Sequence, residues 1–257
     1  MNRAAAVALA ALVLAPAWSG ASTTRPVLAL TATPAHLALV GSGRTTMRVA
    51  NPGVRPVVVD VARAGFALDR RGRPRIAPRD DVRAAASWIS VSPARFVLPA
   101  GAKRVLTVVS RLPRRTEPGD HDALVLLTTR PQRGMGVAVR VRIGVVVVVR
   151  APGRIVRRLV LGSLRVRRLA RARLLEVVLV NRGNVTETLR RGSVRVSLTR
   201  GRMRMTLRSG ARQLRPRTSG VVAIPIRRGV GGTVSARVEV VAEPGRVAIV
   251  RTARIRL

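Results

Sequence analysis

Residues 136–150 read GVAVRVRIGVVVVVR, and this run constrains the fold more than any other stretch of the chain. Consecutive valines lose side-chain freedom in a helix and pack well on a pleated sheet, so a helix is disfavoured. A bilayer span needs about 20 apolar residues, and Arg140 and Arg142 interrupt this run near its middle. The stretch is therefore predicted to be a β-strand. Its halves differ. Val137, Val139, Val141 and Ile143 fall on one face with arginines between them, whereas residues 145–149 are apolar on both faces. The second half is expected to be covered on both sides. The plainer reading is a final sandwich strand that runs from a solvated edge into a domain junction, and the sharper one is a strand offered to a ligand.

The same pattern recurs through the chain. Valine-, leucine- and threonine-rich runs alternate with proline, glycine and asparagine corners, as in VANPG at 49–53 and LVNRGN at 179–184. About seven strands are predicted before residue 150, the polar, arginine-rich stretch 69–83 reads as a long loop, and LPRRTEPGDHD, from 112, as a connection. Ala151-Pro152-Gly153 is the natural boundary, and seven further strand candidates follow it. Residues 168–178 hold alanine, leucine and glutamate but run into valines without a clean cap, so they too are read as strand. The fold expected is all-β: two tandem immunoglobulin-like β-sandwich domains, at 22–150 and 151–257, after a signal peptide.

That leader is read from Met1-Asn2-Arg3, a short basic start, an apolar stretch over 4–17, and the small residues Ser19-Gly20-Ala21. Cleavage is expected after Ala21, because the apolar stretch is of signal-peptide length and short for a span. Export to periplasm, cell wall or extracellular space follows, with no membrane anchor expected in the mature chain.

Residues 87–126 carry a resemblance. SWISVSPARFVLPAG, a strand, and then LPRRTEPGDHDALVLL are similar to the pattern of periplasmic pilus-assembly chaperones and of the peptidoglycan-binding domain of WxL-interacting surface proteins. The positions concerned are Trp88, Pro93, Leu98, Pro99, Gly101, Pro113, Pro118, Gly119 and Leu124. The resemblance implies an immunoglobulin-like fold over roughly 27–150. For the chaperones it also implies a client carboxylate held by two basic residues in the interdomain cleft, together with a donated strand of alternating hydrophobics. Residues Val137, Val139, Val141 and Ile143 are the candidate donor positions. The second segment, with NRGNVTETLRRGSVRVSL, resembles the envelope-associated immunoglobulin-like domains that often follow.

Enzymatic chemistry is not expected. The chain holds no cysteine and only two histidines, His36 and His121, which excludes thiolate chemistry and leaves neither histidine in a nucleophile or metal spacing. Asp120-His121-Asp122 is the best arrangement for a divalent cation, but aspartate is ordinary in a turn entering a strand. Asp80-Asp81 has the same weakness, no glycine-rich phosphate loop opens a helix, and no cofactor or metal site is assigned. Asn184-Val185-Thr186 fits a glycosylation sequon.

Charge carries more. Basic residues number 49 against 11 acidic, and Lys103 is the only lysine. Codon drift in a GC-rich genome accounts for arginine in place of lysine as well as selection does, yet a chain this basic binds polyanions at low salt either way. Residues 151–257 are the more basic part, with a net charge of +22 against +15 for 22–150. There SVRVSLTRGRMRMTLR reads as a hairpin about Arg200-Gly201, with Arg195, Arg202, Arg204 and Arg208 outward as the candidate polyanion-binding set. Nucleic acid is an unlikely partner, because Trp88, Phe66 and Phe96 are the only aromatics of the mature chain, too few for stacking platforms. The function expected is an exported binding or scaffolding module at the bacterial envelope, contacting wall polyanion or surface protein. The alternative is a pilus-chaperone-like protein that binds clients by strand donation.

Overall fold

Strict alternation gives each strand one apolar face, and two such faces bury each other only as stacked sheets. A computed structural model of the protein shows this arrangement twice. It describes residues 29–77, 84–130, 139–170, 172–226, 231–242 and 248–257, so the predicted leader lies outside the described residues. Among the described residues every regular element is a strand and there is no helix. The fold is all-β, two immunoglobulin-like sandwiches in tandem.

The first sandwich comprises β1 (Thr31–Thr33), β2 (His36–Val40), β3 (Gly43–Ala50), β4 (Val57–Leu68), β5 (Pro74–Ile76), β6 (Ile89–Ser92), β7 (Arg95–Leu98), β8 (Lys103–Ser110), β9 (Gly119–Thr129) and β10 (Arg142–Ala151). One sheet has the order β1-β3-β8-β6, and the other β2-β10-β9-β4-β5 with β7 also beside β4. Between them lie Met47, Val49, Leu106 and Val108 from one side and Val57, Val59, Val125, Leu127, Val147 and Val149 from the other. The second sandwich comprises β11 (Leu159–Arg168), β12 (Arg173–Asn181), β13 (Glu187–Leu189), β14 (Val194–Arg200), β15 (Met203–Arg208), β16 (Arg212–Leu214), β17 (Ser219–Ile226), β18 (Thr233–Val240) and β19 (Ile249–Arg256). Its sheets are β11-β12-β17 and β15-β14-β18-β19, with the short pair β13-β16 at one end.

The two asparagine corners perform the same task. Asn51 Nδ2 donates to Arg55 O (2.7 Å) and Leu98 O (3.1 Å) while its Oδ1 accepts from Gly53 N–H (3.0 Å). Asn181 does likewise with Val185 O (2.8 Å), Leu214 O (3.0 Å) and Gly183 N–H (2.9 Å). Each buried amide thus satisfies a chain reversal and ties it to a distant strand.

Three expectations need correction. The stretch read as a loop over 69–83 instead begins with a hairpin, β4 to β5. Asp69 Oδ1 accepts from the N–H groups of Arg71 and Arg73 at 2.8 and 2.9 Å, and Gly72 takes a positive φ of 85°, so a polar composition conceals a turn. Next, β9 begins at Gly119, inside the stretch from 112 read as a connection, because Asp120, His121 and Asp122 find partners that make their burial tolerable. Finally, β2, β13 and β16 were not foreseen: each is only three to five residues long and is fixed by its neighbour rather than by periodicity.

Candidate strand-docking edge and interdomain cleft

The valine run forms β10, paired antiparallel with β9 over its whole length and parallel with β2 over residues 146–150 only. The parity of its main-chain groups is set at both flanks. Thr129 N–H donates to Val141 O (2.9 Å) on the β9 side, while on the β2 side Val146 N–H donates to Ala35 O (3.1 Å) and Arg150 O accepts from Gly41 N–H (2.8 Å). Even-numbered residues therefore direct N–H and C=O away from β9. Arg142 and Gly144 do so at a stretch of edge that no strand covers among the described residues. The reason lies at the start of β2: Pro34 has no N–H to continue the ladder, and the chain crosses there to β1 in the opposite sheet.

Val141 and Ile143 are half-buried on the core side of this edge, packed against the first hydrophobic core, and Val139 is exposed. Val137 lies outside the described residues. The residues of 145–149 separate as their parity requires: Val145, Val147 and Val149 are fully buried, whereas Val146 and Val148 are only partly covered. Coverage of the second face is thus incomplete. Val146 instead lines a cleft of about 480 Å³ together with His36, Phe66, Leu68, Thr188 and Arg212, and so opens onto both sandwiches.

Electrostatics differ along the edge. At its outer end Asp60 accepts from Arg95 Nε and Arg130 Nε, both at 2.6 Å, and these bonds hold its carboxyl below the usual aspartate range. Arg140 and Arg142 line a cavity with Asp60 and Arg130. In the interdomain cleft the Arg212 side chain reaches from β16 to the β4–β5 turn, where Nη2 donates to Arg70 O (2.8 Å). Burial lowers its pKa, with Asp69 opposing the shift, and loss of water likewise lowers that of His36. Neither Arg212 nor His36 was singled out as a site residue from the sequence, where no signal distinguishes them from the other arginines and the other histidine.

The sandwiches are clamped beside this cleft. Asp120 accepts from Arg150 Nε (2.7 Å) and from Thr186 N–H (2.8 Å), and Asp120 N–H donates to Asn184 O (2.8 Å). The hydrogen bond to Asp120 is the chief cause of a raised Arg150 pKa. Asp122 is buried against Arg215, whose guanidinium lies 5.3 Å from the Phe66 ring centroid. His121 Nε2 is 2.8 Å from Glu117 O, with its ring 4.5 Å from that of Trp88. The 120–122 carboxylates are thus engaged by guanidinium groups, a structural role, and no cluster able to hold a metal occurs among the described residues. Asp80 and Asp81 lie outside the described residues. The Asn184 amide is also occupied: it accepts from Val156 N–H (2.7 Å) and donates to Pro118 O (3.0 Å) and Arg154 O (2.8 Å). That leaves the sequon asparagine buried in the domain junction.

Of the candidate polyanion set, Arg195, Arg204 and Arg208 share the outward face of β14 and β15, and Arg202 sits in the Gly201 turn. The strand-donor and polyanion candidates therefore lie on different sandwiches.

No family model matches the sequence, and no curated protein matches it. Solved structures do. The chain is similar to the class 5 fimbriae chaperone CfaA at 12% identity over 87% of this chain and 98% of that one, with a TM-score of 0.50. It is also similar to a chain of the Salmonella enterica SafA pilin–SafB chaperone complex (14% identity, 90% and 99% covered, TM-score 0.48). A third is the E. coli chaperone DraB (16%, 90% and 98%, TM-score 0.47). At 12% identity what the chain shares with CfaA is the fold, in keeping with the resemblance to pilus-assembly chaperones read from residues 87–126.

Proposed function

We propose that this protein is an exported, non-enzymatic carrier that holds a β-rich client by pairing the client's strand with the open edge of β10. The observation that carries this reading is the pair of outward main-chain groups at Arg142 and Gly144, beside the half-buried Val141 and Ile143. Main-chain pairing at such an edge supplies affinity and alternate side chains supply selectivity. The fold shared with CfaA, named as a fimbriae chaperone, favours this over a general scaffold. In the cleft at the inner end of the edge, Arg212 and His36 are the cationic and titratable groups suited to a client's carboxylate.

The main-chain role is separable from side-chain charge. Arg142→Pro removes one outward N–H from an edge position, where proline is tolerated, while Arg142→Ala keeps it. The tagged protein is expected to recover a small β-rich partner from the exported fraction. Arg142→Pro should weaken that complex about tenfold or more, the equivalent of one to two hydrogen bonds, with Arg142→Ala within about threefold of wild type. Equal binding by the proline variant would refute strand pairing at this edge.

Export itself is tested by N-terminal sequencing of the exported protein, which is expected to begin at Ser22. An exported chain that still carries Met1 would contradict the predicted leader.

A further inference from the structure

The β15-β14-β18-β19 sheet turns one face to the second core and the other to solvent, and register decides what that outer face presents. Arg208 lies opposite Arg195, Thr206 opposite Ser197 and Arg204 opposite Thr199. From β14 to β18, Ser197 faces Arg237 and Thr199 faces Ser235; from β18 to β19, Ser235 faces Arg254 and Thr233 faces Arg256. Six arginines, Arg195, Arg204, Arg208, Arg237, Arg254 and Arg256, are thereby brought to one face, interleaved with serine and threonine. All six are exposed. Only the first three were legible in the hairpin sequence; the others come from β18 and β19, which follow later in the chain.

This face differs from the ion-paired parts of the molecule in how its charge is compensated. There arginines meet acids: Arg95 and Arg130 at Asp60, Arg150 at Asp120, Arg165 and Arg167 at Glu176, Arg215 at Asp122. Among the described residues none of the six takes part in an ion pair, and the one acid on the face is Glu239, opposite Arg195 near the end of β18. Like charges directly opposite, as at Arg195 and Arg208, are destabilising by up to about 1 kcal/mol. A multivalent anion lying across the sheet would relieve this.

The geometry also indicates the form of that anion. Strands about 4.8 Å apart, with outward residues about 6.8 Å apart along each, make a grid with a guanidinium fork or a hydroxyl donor at nearly every point. Guanidinium forks and hydroxyls both suit phosphate oxygens. The face offers no aromatic ring for stacking bases, and Val250 is its one large apolar side chain, so neither base stacking nor insertion into a bilayer is provided for. We infer that this face binds a linear phosphate-bearing polymer, independently of any client held at β10.

Inorganic polyphosphate is the probe, titrated against the leader-free protein at several salt concentrations. Contacts to four to six phosphates predict a log–log salt slope near −3 to −4, hence a loss of about 100-fold in affinity between 50 and 200 mM salt. The variant Arg204→Ser/Arg237→Ser/Arg254→Ser is expected to bind at least 30-fold more weakly and to lower the slope by about 2. A charge-matched control, Arg44→Ser/Arg48→Ser/Arg111→Ser, removes three exposed arginines of the first sandwich and should stay within about threefold of wild type. Unchanged melting of both variants separates binding from folding. Equal losses in the two triple variants would overturn the assignment in favour of net charge alone. Binding of phosphatidylglycerol vesicles but not polyphosphate, lost in the first variant, would overturn it in favour of a membrane surface.

Discussion

Asp122→Ala is expected to destabilise the protein by about 3–5 kcal/mol, a fall in melting temperature on the order of 10 °C. The carboxylate and its partner Arg215 are both buried, at 2% and 6% exposure. Truncating one member leaves the other's charge in the junction without its counter-ion, and that uncompensated charge outweighs any attraction the intact pair contributes net. The Phe66 ring beneath Arg215 compensates only in part, since a cation over an aromatic face contributes about 0.5–2 kcal/mol. Adding Arg215→Met to Asp122→Ala removes the stranded guanidinium while keeping apolar volume, and is expected to recover much of the loss. Thermal unfolding of the single and double variants checks this. A single variant that melts with wild type, or a double variant worse than the sum of its parts, would show that the pair does not hold the junction.

Gly119→Val is expected to uncouple the two sandwiches. Gly119 opens β9 with a φ of 115°, which L side chains rarely adopt, and a Cβ there would lie 2.0 Å from Asn184 O of the second sandwich. Neither the strain nor the overlap can be relieved locally, because Asp120 N–H donates to that same Asn184 oxygen and Asn184 is bonded to Pro118 and Arg154. The chain must separate at this point or misfold. Unfolding in two calorimetric transitions and rapid proteolysis between Ala151 and Leu159 are the results anticipated, in contrast to Gly101→Val, where a Cβ meets nothing within 4 Å although φ is also positive. If Gly119→Val and Gly101→Val were equally mild, the close approach at Asn184 would not be what couples the sandwiches.

These two positions show how far the residues alone could be read. Gly119 and Asp122 were recognised as parts of a proline–glycine turn and of an Asp-His-Asp triplet, but what they touch is 60 or more residues away. Their partners Asn184 and Arg215 carry no local mark of this contact, one lying in a turn and read as a sequon and the other among some four dozen arginines. The valine run and the 194–208 hairpin were legible because a period of two and a glycine corner are local properties. The β4–β5 turn was not, because its Asp69 side chain bonds to its own backbone and its Arg70 carbonyl accepts from Arg212 of the second sandwich, rather than an apolar face being buried. Of the candidate site, the donor stretch was visible as alternation, whereas His36 and Arg212 reach the cleft only through the pairing of β2 with β10 and the docking of β16.

The residue order by itself determined that this chain is all-β, where most strands run, and that its surface is strongly cationic. All three follow from side-chain shape, alternation and charge counted along the chain. Tertiary structure alone decided that β2 stops short and leaves the β10 edge open, that the acids of β9 are held by guanidinium groups, and that six arginines converge on one sheet face. Strand neighbours and register are set by the simultaneous burial of two faces, an energy shared among residues far apart, so no single segment encodes them.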